Sequence, residues 1–497
     1  MGYTGDESKK TEKEEVIDPR CIVEFRPVDN WKGEYGFDWF RRGDAKERFN
    51  KKDNKSSYST LVGKYIPKVL YNAIFSTAIR QNDFKRIAKY DKNTKEATDQ
   101  NTHNDCLNEL CKEYLRREIR GENRLYYIPT LSLFYNNYLI DENKWGPTKA
   151  VVKLLIDAKD IKRLEFICDE GIIVETDTVN HENSLLEIDS RLPDGSEYIS
   201  DNPKKYIDIG SEKKELYLEV SSFLDFSNSK ESTRSIKVYA KTEEEIKNNV
   251  AGSFSGRLNV VVSKVKVIDI CIVNVRIMSN GKQCPVHKPN KIEEEKERIR
   301  KALAQAQMLP RFTERTIDIE ENQHQEYFHR TTHGNKPVML IDVPPSQPSV
   351  STNLFDDLLA YFNSPLTEDE KTKSEEVYKL FFINKSGGVW DYDVTDPNNP
   401  QVVITGGLLG QARDIGKKET IVFENDDSAT VPHELFHCMG LEHTFENSNR
   451  HTFKALETSN LMDYSKEGFS LWKWQWEELR KNRKDFSIED FVITNLC

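Results

Sequence analysis

Long apolar runs are missing from this 497-residue chain. The longest, from about Val267 to Ile277, is broken by Asp269 and Asn274. It falls short of the roughly 18 residues that a membrane-spanning helix needs, so no span is expected. An excess of positive charge is missing too. Lys and Arg number 72 against 83 Asp and Glu, a net charge of −11, which argues against non-specific nucleic-acid binding. Met1 to Glu15 is charged, without an apolar segment, so the expectation is cytoplasmic synthesis with no secretory signal peptide. Gly2 follows Met1, but Asp6 stands where a myristoylation signal needs Ser or Thr. Cysteine is sparse and scattered. Of the eight, Cys106 and Cys111 are the close pair, and five positions apart on a helix they face different sides. A disulfide framework is not expected.

What is present suffices for several modest cores. Hydrophobic residues make up 37% and aromatics 10%, and the length suggests about three domains. Residues 1–17 read as a solvated tail. From Cys21, CIVEFRPVDNWKGEYGFDWF is short strands and turns dense in aromatics, and NDCLNELCKEYLRREI carries a helical stripe of Leu107, Leu110, Cys111, Tyr114 and Leu115. Residues 18–144 are therefore read as a mixed α/β module. From about 145 the period changes to two: VVKLLIDAKD, RLEFICDEGIIVE, KELYLEVSSFL, RSIKVYAKT and RLNVVVSKVKVIDICIVNVRI are strand-like. Without intervening helices they predict one or two antiparallel, Ig-like β-sandwiches over 145–286. CPVHKPN reads as a linker. KIEEEKERIRKALAQAQ then predicts an amphipathic helix with Ile292, Ile299, Leu303 and Ala306 on one face and solvated charge on the other. The strands PVMLIDV, VYKLFFI, VWDYDV and IVF interleave with the helix LFDDLLAYF, so 287–497 is expected to be an α/β domain.

Inside that domain runs His433-Glu434-Leu435-Phe436-His437-Cys438-Met439-Gly440-Leu441-Glu442-His443. Two histidines four apart share a helix face, so their imidazoles can converge on one ion. Glu434 sits beside the first ligand but outside the ligand set, where a general base takes a proton from metal-bound water. Gly440 lets the chain leave the helix sharply, and His443 can return as third ligand. Three neutral nitrogens leave one position open, the catalytic arrangement. Ser428 or Thr430 is available as N-cap, with Pro432 in the tolerated first turn. Further on comes Ser459-Asn460-Leu461-Met462-Asp463-Tyr464.

HExxHxxGxxH followed by a methionine-bearing turn resembles the metzincin clan of zinc endopeptidases. The resemblance implies one catalytic zinc on His433, His437 and His443, Glu434 as base, and Met462 in the turn beneath the metal. Some branches carry a tyrosine where Tyr464 stands, supporting the metal or the oxyanion, although a packed core tyrosine is the plainer reading. It also implies an edge strand before the active-site helix that pairs with substrate backbone, and GGLLGQARD occupies that place with Leu408, Leu409, Gly410, Gln411 and Ala412. The implied partner is a protein or peptide substrate. Calcium is compatible with such a domain, but nothing here indicates it. The segments FRPVDNWKGEYGFDW, GRLNVVV, LMDYS and WKWQW together resemble multidomain metallopeptidases of Bacteroidota-type bacteria found among polymorphic-toxin and contractile-injection cargo. That implies an effector or toxin, with a front half that docks to a secretion or injection apparatus.

Other groups read more plainly. Asp18-Pro19-Arg20-Cys21 echoes an inhibitory propeptide cysteine but lacks the following glycine, and a core cysteine is favoured. Cys284 and His287 have no second ligand pair. His324, His329 and His333, clustered in a polar stretch, read as exposed, with a secondary metal site as the lesser alternative; Cys438 reads as core packing, and Trp472, Trp474 and Trp476 as core beneath the site. The competing function is a non-catalytic binding or adhesion protein with a structural metal, and behind it a zinc hydrolase of non-peptide amides.

Overall fold

The computed structural model describes residues 15–41, 61–62, 65–66, 89–91, 96–98, 100–134, 147–176, 187–189, 204–209, 215–222, 232–279, 282–283, 289–331, 336–342, 353–393, 401–424, 429–446, 448–464 and 468–485. The chain is β-rich and multidomain. It divides into two compact units, Met1–Arg42 with Asn108–Lys264, and Gly43–Leu107 with Val265–Cys497. Among the described residues no helix is long and apolar enough to cross a membrane.

The first unit contains β1 (Cys21–Pro27), β2 (Gly36–Asp38), β3 (Thr130–Ser132), β4 (Lys149–Ala158), β5 (Arg163–Cys168), β6 (Ile172–Thr176), β7 (Glu187–Asp189), β8 (Lys204–Asp208), β9 (Glu215–Ser222), β10 (Ser232–Lys241) and β11 (Ser253–Val262). One sheet runs β1-β4-β9-β6 and is antiparallel throughout. The other runs β7-β8-β5-β10-β11-β3-β2, antiparallel except at the β11–β3 junction. Alternate residues such as Val23, Phe25, Val152, Leu154, Leu216, Leu218, Ile236 and Val238 are buried, as period-two sequences require. Two expectations change here. β1, β2 and β3 complete the same sheets as the later strands, so residues from 18 onward form no separate N-terminal module. Periodicity identifies a strand but not its partner. The solvated tail also stops short of 17, because Ile17 is buried and bridges Ile119.

The second unit holds β12 (Lys266–Ser279), α1 (Pro289–Ala304), β13 (Met308–Glu320), β14 (Phe328–Arg330), β15 (Pro337–Leu340), α2 (Leu354–Asn363), β16 (Tyr378–Ile383), β17 (Gly387–Asp393), β18 (Gln401–Leu408), β19 (Gly410–Ala412), β20 (Glu419–Phe423), α3 (Thr430–Cys438) and α4 (Lys473–Arg480). Its main sheet runs β13-β12-β16-β20-β19. The first four strands are mutually parallel and β19 closes the edge antiparallel to β20. Both faces are covered. Ile268, Ile270, Ile272, Leu380, Phe382 and Val422 meet apolar residues of α1, α3 and α4. Val273, Val275, Ile277, Phe381, Ile383, Ile421 and Phe423 meet those of α2. A smaller sheet, β14-β15-β17-β18, leads directly into β19.

β12 corrects the predicted boundary at 287. The sequence reading groups it with the preceding strands, yet it lies between β13 and β16 in this sheet. Its near-continuous apolar run is what a strand buried on both faces of a parallel sheet looks like. The charged face of α1 is also not wholly solvated. Glu295 is fully buried and paired with Arg298, while buried Lys296 joins Glu293 and Glu314. Cys284 and His287 lie outside the described residues.

Candidate metal centre

α3 is short and its back is apolar. Val431, Leu435 and Phe436, with Met439 just beyond the helix, are buried against the main sheet, leaving His433, Glu434 and His437 toward β19 and the loops that follow. Ala429 is the N-cap and makes no side-chain cap bond. Thr430, expected as a cap, is the first helical residue, and Ser428 lies outside the described residues. Beyond the C-cap Met439 the chain leaves the helix through Gly440, whose φ of +105° is a conformation that a side chain disfavours. No heavy atom lies within 4 Å of where its Cβ would be, so backbone freedom alone requires glycine here.

That turn carries His443 back to the helix. His437 Nε2 lies 3.1 Å from His433 Nε2 and 3.0 Å from His443 Nε2. The other nitrogen of the first two rings fixes their tautomers. His433 Nδ1 is 2.7 Å from the Leu461 carbonyl oxygen, and His437 Nδ1 is 2.7 Å from that of Leu441. A carbonyl only accepts, so each Nδ1 carries the proton and each Nε2 presents a lone pair. Two lone pairs facing at 3.1 Å repel unless a cation lies between them. Ligands bound at 2.0–2.1 Å in tetrahedral geometry stand about 3.3 Å apart, close to what these nitrogens show. Burial, followed by the neighbouring imidazoles, drives His437 down to about 4 and His443 to about 3, so both rings are neutral ligands at pH 7. The residues present fit a divalent ion.

Glu434 is held from one side. Its Oε2 accepts from Ala412 N at 2.7 Å, fastening the carboxylate to the edge strand. Burial raises its pKa to about 7, against the lowering effect of the Ala412 bond. A cation beside it acts in the opposite direction and favours the ionised base. Gly410 makes this proximity feasible: a Cβ there would meet Thr430 Cγ2 at 2.8 Å, Ile421 O at 3.1 Å and Glu434 Cγ at 3.2 Å. Of the expected edge-strand residues, Gly410, Gln411 and Ala412 form β19, whereas Leu408 ends β18 and Leu409 links the two.

Met462 is fully buried in the cluster that packs α3. Its turn is fastened at both ends. Met462 N donates to Asn460 Oδ1 at 2.9 Å, Asn460 Nδ2 donates to Gln475 Oε1 at 2.7 Å, and Asp463 accepts from Leu456 N and from Thr458 N and Oγ1. The same turn supplies the Leu461 carbonyl that orients His433. A backbone ladder continues outward. Thr444 N donates to Met462 O, Phe453 N to Thr444 O and Lys454 N to Leu61 O, with Val62 bridging Phe453. Leu61, Val62 and Phe453 are buried.

Tyr464 is not core: it is 59% exposed. Its ring centroid lies 4.6 Å from His443 and 5.7 Å from His433. Partial desolvation, then the Glu434 and Glu446 carboxylates, push its phenol to about 12, so it is an un-ionised donor at neutral pH. Phe445, unnoticed in the sequence, stacks on His443 at 4.8 Å. The sequence reading likewise assigns no role to Asn460, Asp463 or the carbonyls of Leu441 and Leu461. An Asn-to-Asp turn signal marked the first two, but nothing marks a backbone carbonyl. Cys438 faces Thr420 and the Glu419 carbonyl, away from the imidazoles. Cys21 is a buried β1 residue whose thiol burial pushes up to about 12. Trp472, Trp474 and Trp476 are buried. His324, expected to be exposed, is largely covered and stands beside Glu326 and Asp357. His333 lies outside the described residues.

No protein-family model matches the chain, and no curated protein does. Among solved structures, the DNA-binding domain of the C. elegans p53 orthologue Cep-1 aligns at 8% identity, covering 28% of this chain and 78% of its own, with a TM-score of 0.17. The major pilin BcpA of Bacillus cereus aligns at 14% identity over 32% of this chain and 50% of its own, with a TM-score of 0.15. The major pilin SpaD of Corynebacterium diphtheriae aligns at 16% identity over 28% and 35%, again at 0.15. Likenesses this low bear on neither fold nor function.

Proposed function

We propose that this chain is a zinc-dependent endopeptidase of the metzincin type, with His433, His437 and His443 as ligands and Glu434 as general base. The observation that carries the reading is the convergence of three imidazole Nε2 atoms, with the Nδ1 protons of His433 and His437 committed to the Leu461 and Leu441 carbonyls. Zinc in such a three-nitrogen site supplies Lewis acidity and makes water a nucleophile near neutral pH.

The chain's own groups do the rest. Glu434 takes the proton of the attacking water and delivers it to the leaving amine, while Ala412 N keeps its carboxylate aimed. β19 is an antiparallel edge beside Glu434, suited to an extended peptide that adds as a further strand. Affinity then comes from main-chain bonds, and an edge of this kind favours peptides over small amides. Tyr464, exposed next to His443, is placed to donate to the developing oxyanion. To the first unit, where no comparable group of metal-ligating side chains occurs among the described residues, we assign the docking role implied by the sequence resemblance.

The test pairs metal content with cleavage of a mixture of unstructured proteins. Wild type is expected to hold zinc and cleave, and chelator to abolish cleavage. Glu434→Gln should retain the metal and lose roughly 10²–10⁴-fold in turnover. Full activity in that variant would sink the mechanism.

A further inference from the structure

The second unit brings together a different set of ligand-type side chains, away from α3. His324 follows the short turn Glu321–Gln323, and Glu326 lies in the next, Gln325–Tyr327. Asp357 sits in the first turn of α2, a helix capped by Asn353, whose Oδ1 accepts from Phe355 N at 2.9 Å. One nitrogen or oxygen from each of the three lies within 4.8 Å of the others.

The distances decide how this group should be read. His324 Nδ1 is 3.4 Å from Asp357 Oδ2 and 3.6 Å from Glu326 Oε1. A charge-assisted N–H···O bond closes to about 2.7–2.9 Å, so neither contact is one. Two donors bound to a single ion at about 2.0–2.2 Å stand roughly 3.4 Å apart at the tetrahedral angle, which is the spacing seen. The outer groups agree. His324 Nε2 is 3.0 Å from the Tyr361 hydroxyl, and a proton on Nε2 donated to that hydroxyl leaves Nδ1 a bare lone pair toward the carboxylates. Tyr327, itself fully buried, donates to Asp357 Oδ2 at 2.7 Å and fixes that carboxylate. Two of the three ligands thus carry the outer hydrogen bond that orients metal ligands generally. The carboxylates are more than a third exposed, so water can complete the shell.

We propose that His324, Glu326 and Asp357 form a second site for a divalent ion of the zinc type, a structural clamp between the turns at 321–327 and the start of α2. One imidazole with two carboxylates suits zinc or manganese; calcium, which takes only oxygens, is disfavoured. The clamp also reaches β19, because Asp356, adjacent to Asp357, pairs with Arg413 at 2.5 Å directly beyond Ala412.

The test uses the full chain, stripped with chelator and dialysed, then loaded with Zn²⁺ alone and counted for metal. Wild type should take two ions per chain, and His324→Ala and Asp357→Asn one each. His437→Ala should also take one, and Tyr361→Phe should weaken the second ion roughly 10- to 100-fold while sparing the first. One ion in wild type, lost in His437→Ala and kept in both His324→Ala and Asp357→Asn, overturns this site and leaves the peptidase reading standing. One ion lost in those two variants and kept in His437→Ala does the reverse. Melting curves identify any variant that fails to fold, and Glu326→Gln, at a carboxylate more than a third exposed, then stands in for His324→Ala or Asp357→Asn.

Discussion

A glycine beside a carboxylate and a glycine beyond a helix end do different work, and the two make separable predictions. Gly410→Ala inserts a methyl between β19 and α3, against Thr430 and Glu434. It should lower kcat/KM at least about tenfold by displacing the base, with zinc content unchanged, since about 1 Å of misplacement is enough. Gly440→Ala meets no atom but must hold φ near +105°. It should cost about 1–3 kcal/mol in thermal unfolding and weaken zinc retention in a chelator titration, because the turn delivers His443. Asp18 makes a third. Burial raises its pKa, but the Arg20 side chain and backbone and Ser253 outweigh burial and bring it down to about 2, below its ordinary 3.8. A carboxyl held low in the folded state stabilises fully above 3.8 and loses that contribution as pH falls toward 2. The advantage of wild type over Asp18→Asn, about 1–2 kcal/mol at pH 6, should therefore shrink across that interval in denaturant titrations.

Among the elements, the turn at Asn460–Asp463 does most to hold the candidate centre, since it supplies a carbonyl to His433, a buried methionine to the cluster behind α3 and an anchor to Thr444. Asn460→Ala removes the acceptor of Met462 N and the partner of Gln475, both buried. We expect about 2–4 kcal/mol of destabilisation, and roughly tenfold weaker zinc binding read by chelator competition. How much of this was legible beforehand depends on the kind of signal. The three imidazoles and Glu434 follow from spacing on one helix, because 3.6 residues per turn fixes which side chains share a face. The carbonyl partners of His433 and His437 belong to backbone that looks alike in every residue. The sequence marks β12 as a strand but not its sheet, since apolar content reports burial and not which strands lie alongside. His324, Glu326 and Asp357 were separable only once the turn and α2 were placed in space.

On the scale of the molecule, neither unit is one continuous stretch of chain. A fragment begun at 287 would lack β12, which lies between β13 and β16, and should appear unfolded by circular dichroism and limited proteolysis. Beginning at 265 restores the sheet but leaves Phe453 without Leu61 and Val62. Val62→Asp in the full chain should mimic that loss, lowering the melting temperature, because it places a charge where the wild-type side chain is fully buried. The pairing of Val62 with Phe453 also sets a timetable. At about 5–20 residues per second, a ribosome that has made Val62 takes some 20–80 s to make its partner. Over that interval two apolar residues wait without the strand they pair with in the finished fold. The ladder beside the third histidine thus closes late, because His433, His437 and His443 are themselves made only just ahead of Phe453, so the candidate centre and the pairing that backs it can assemble only together.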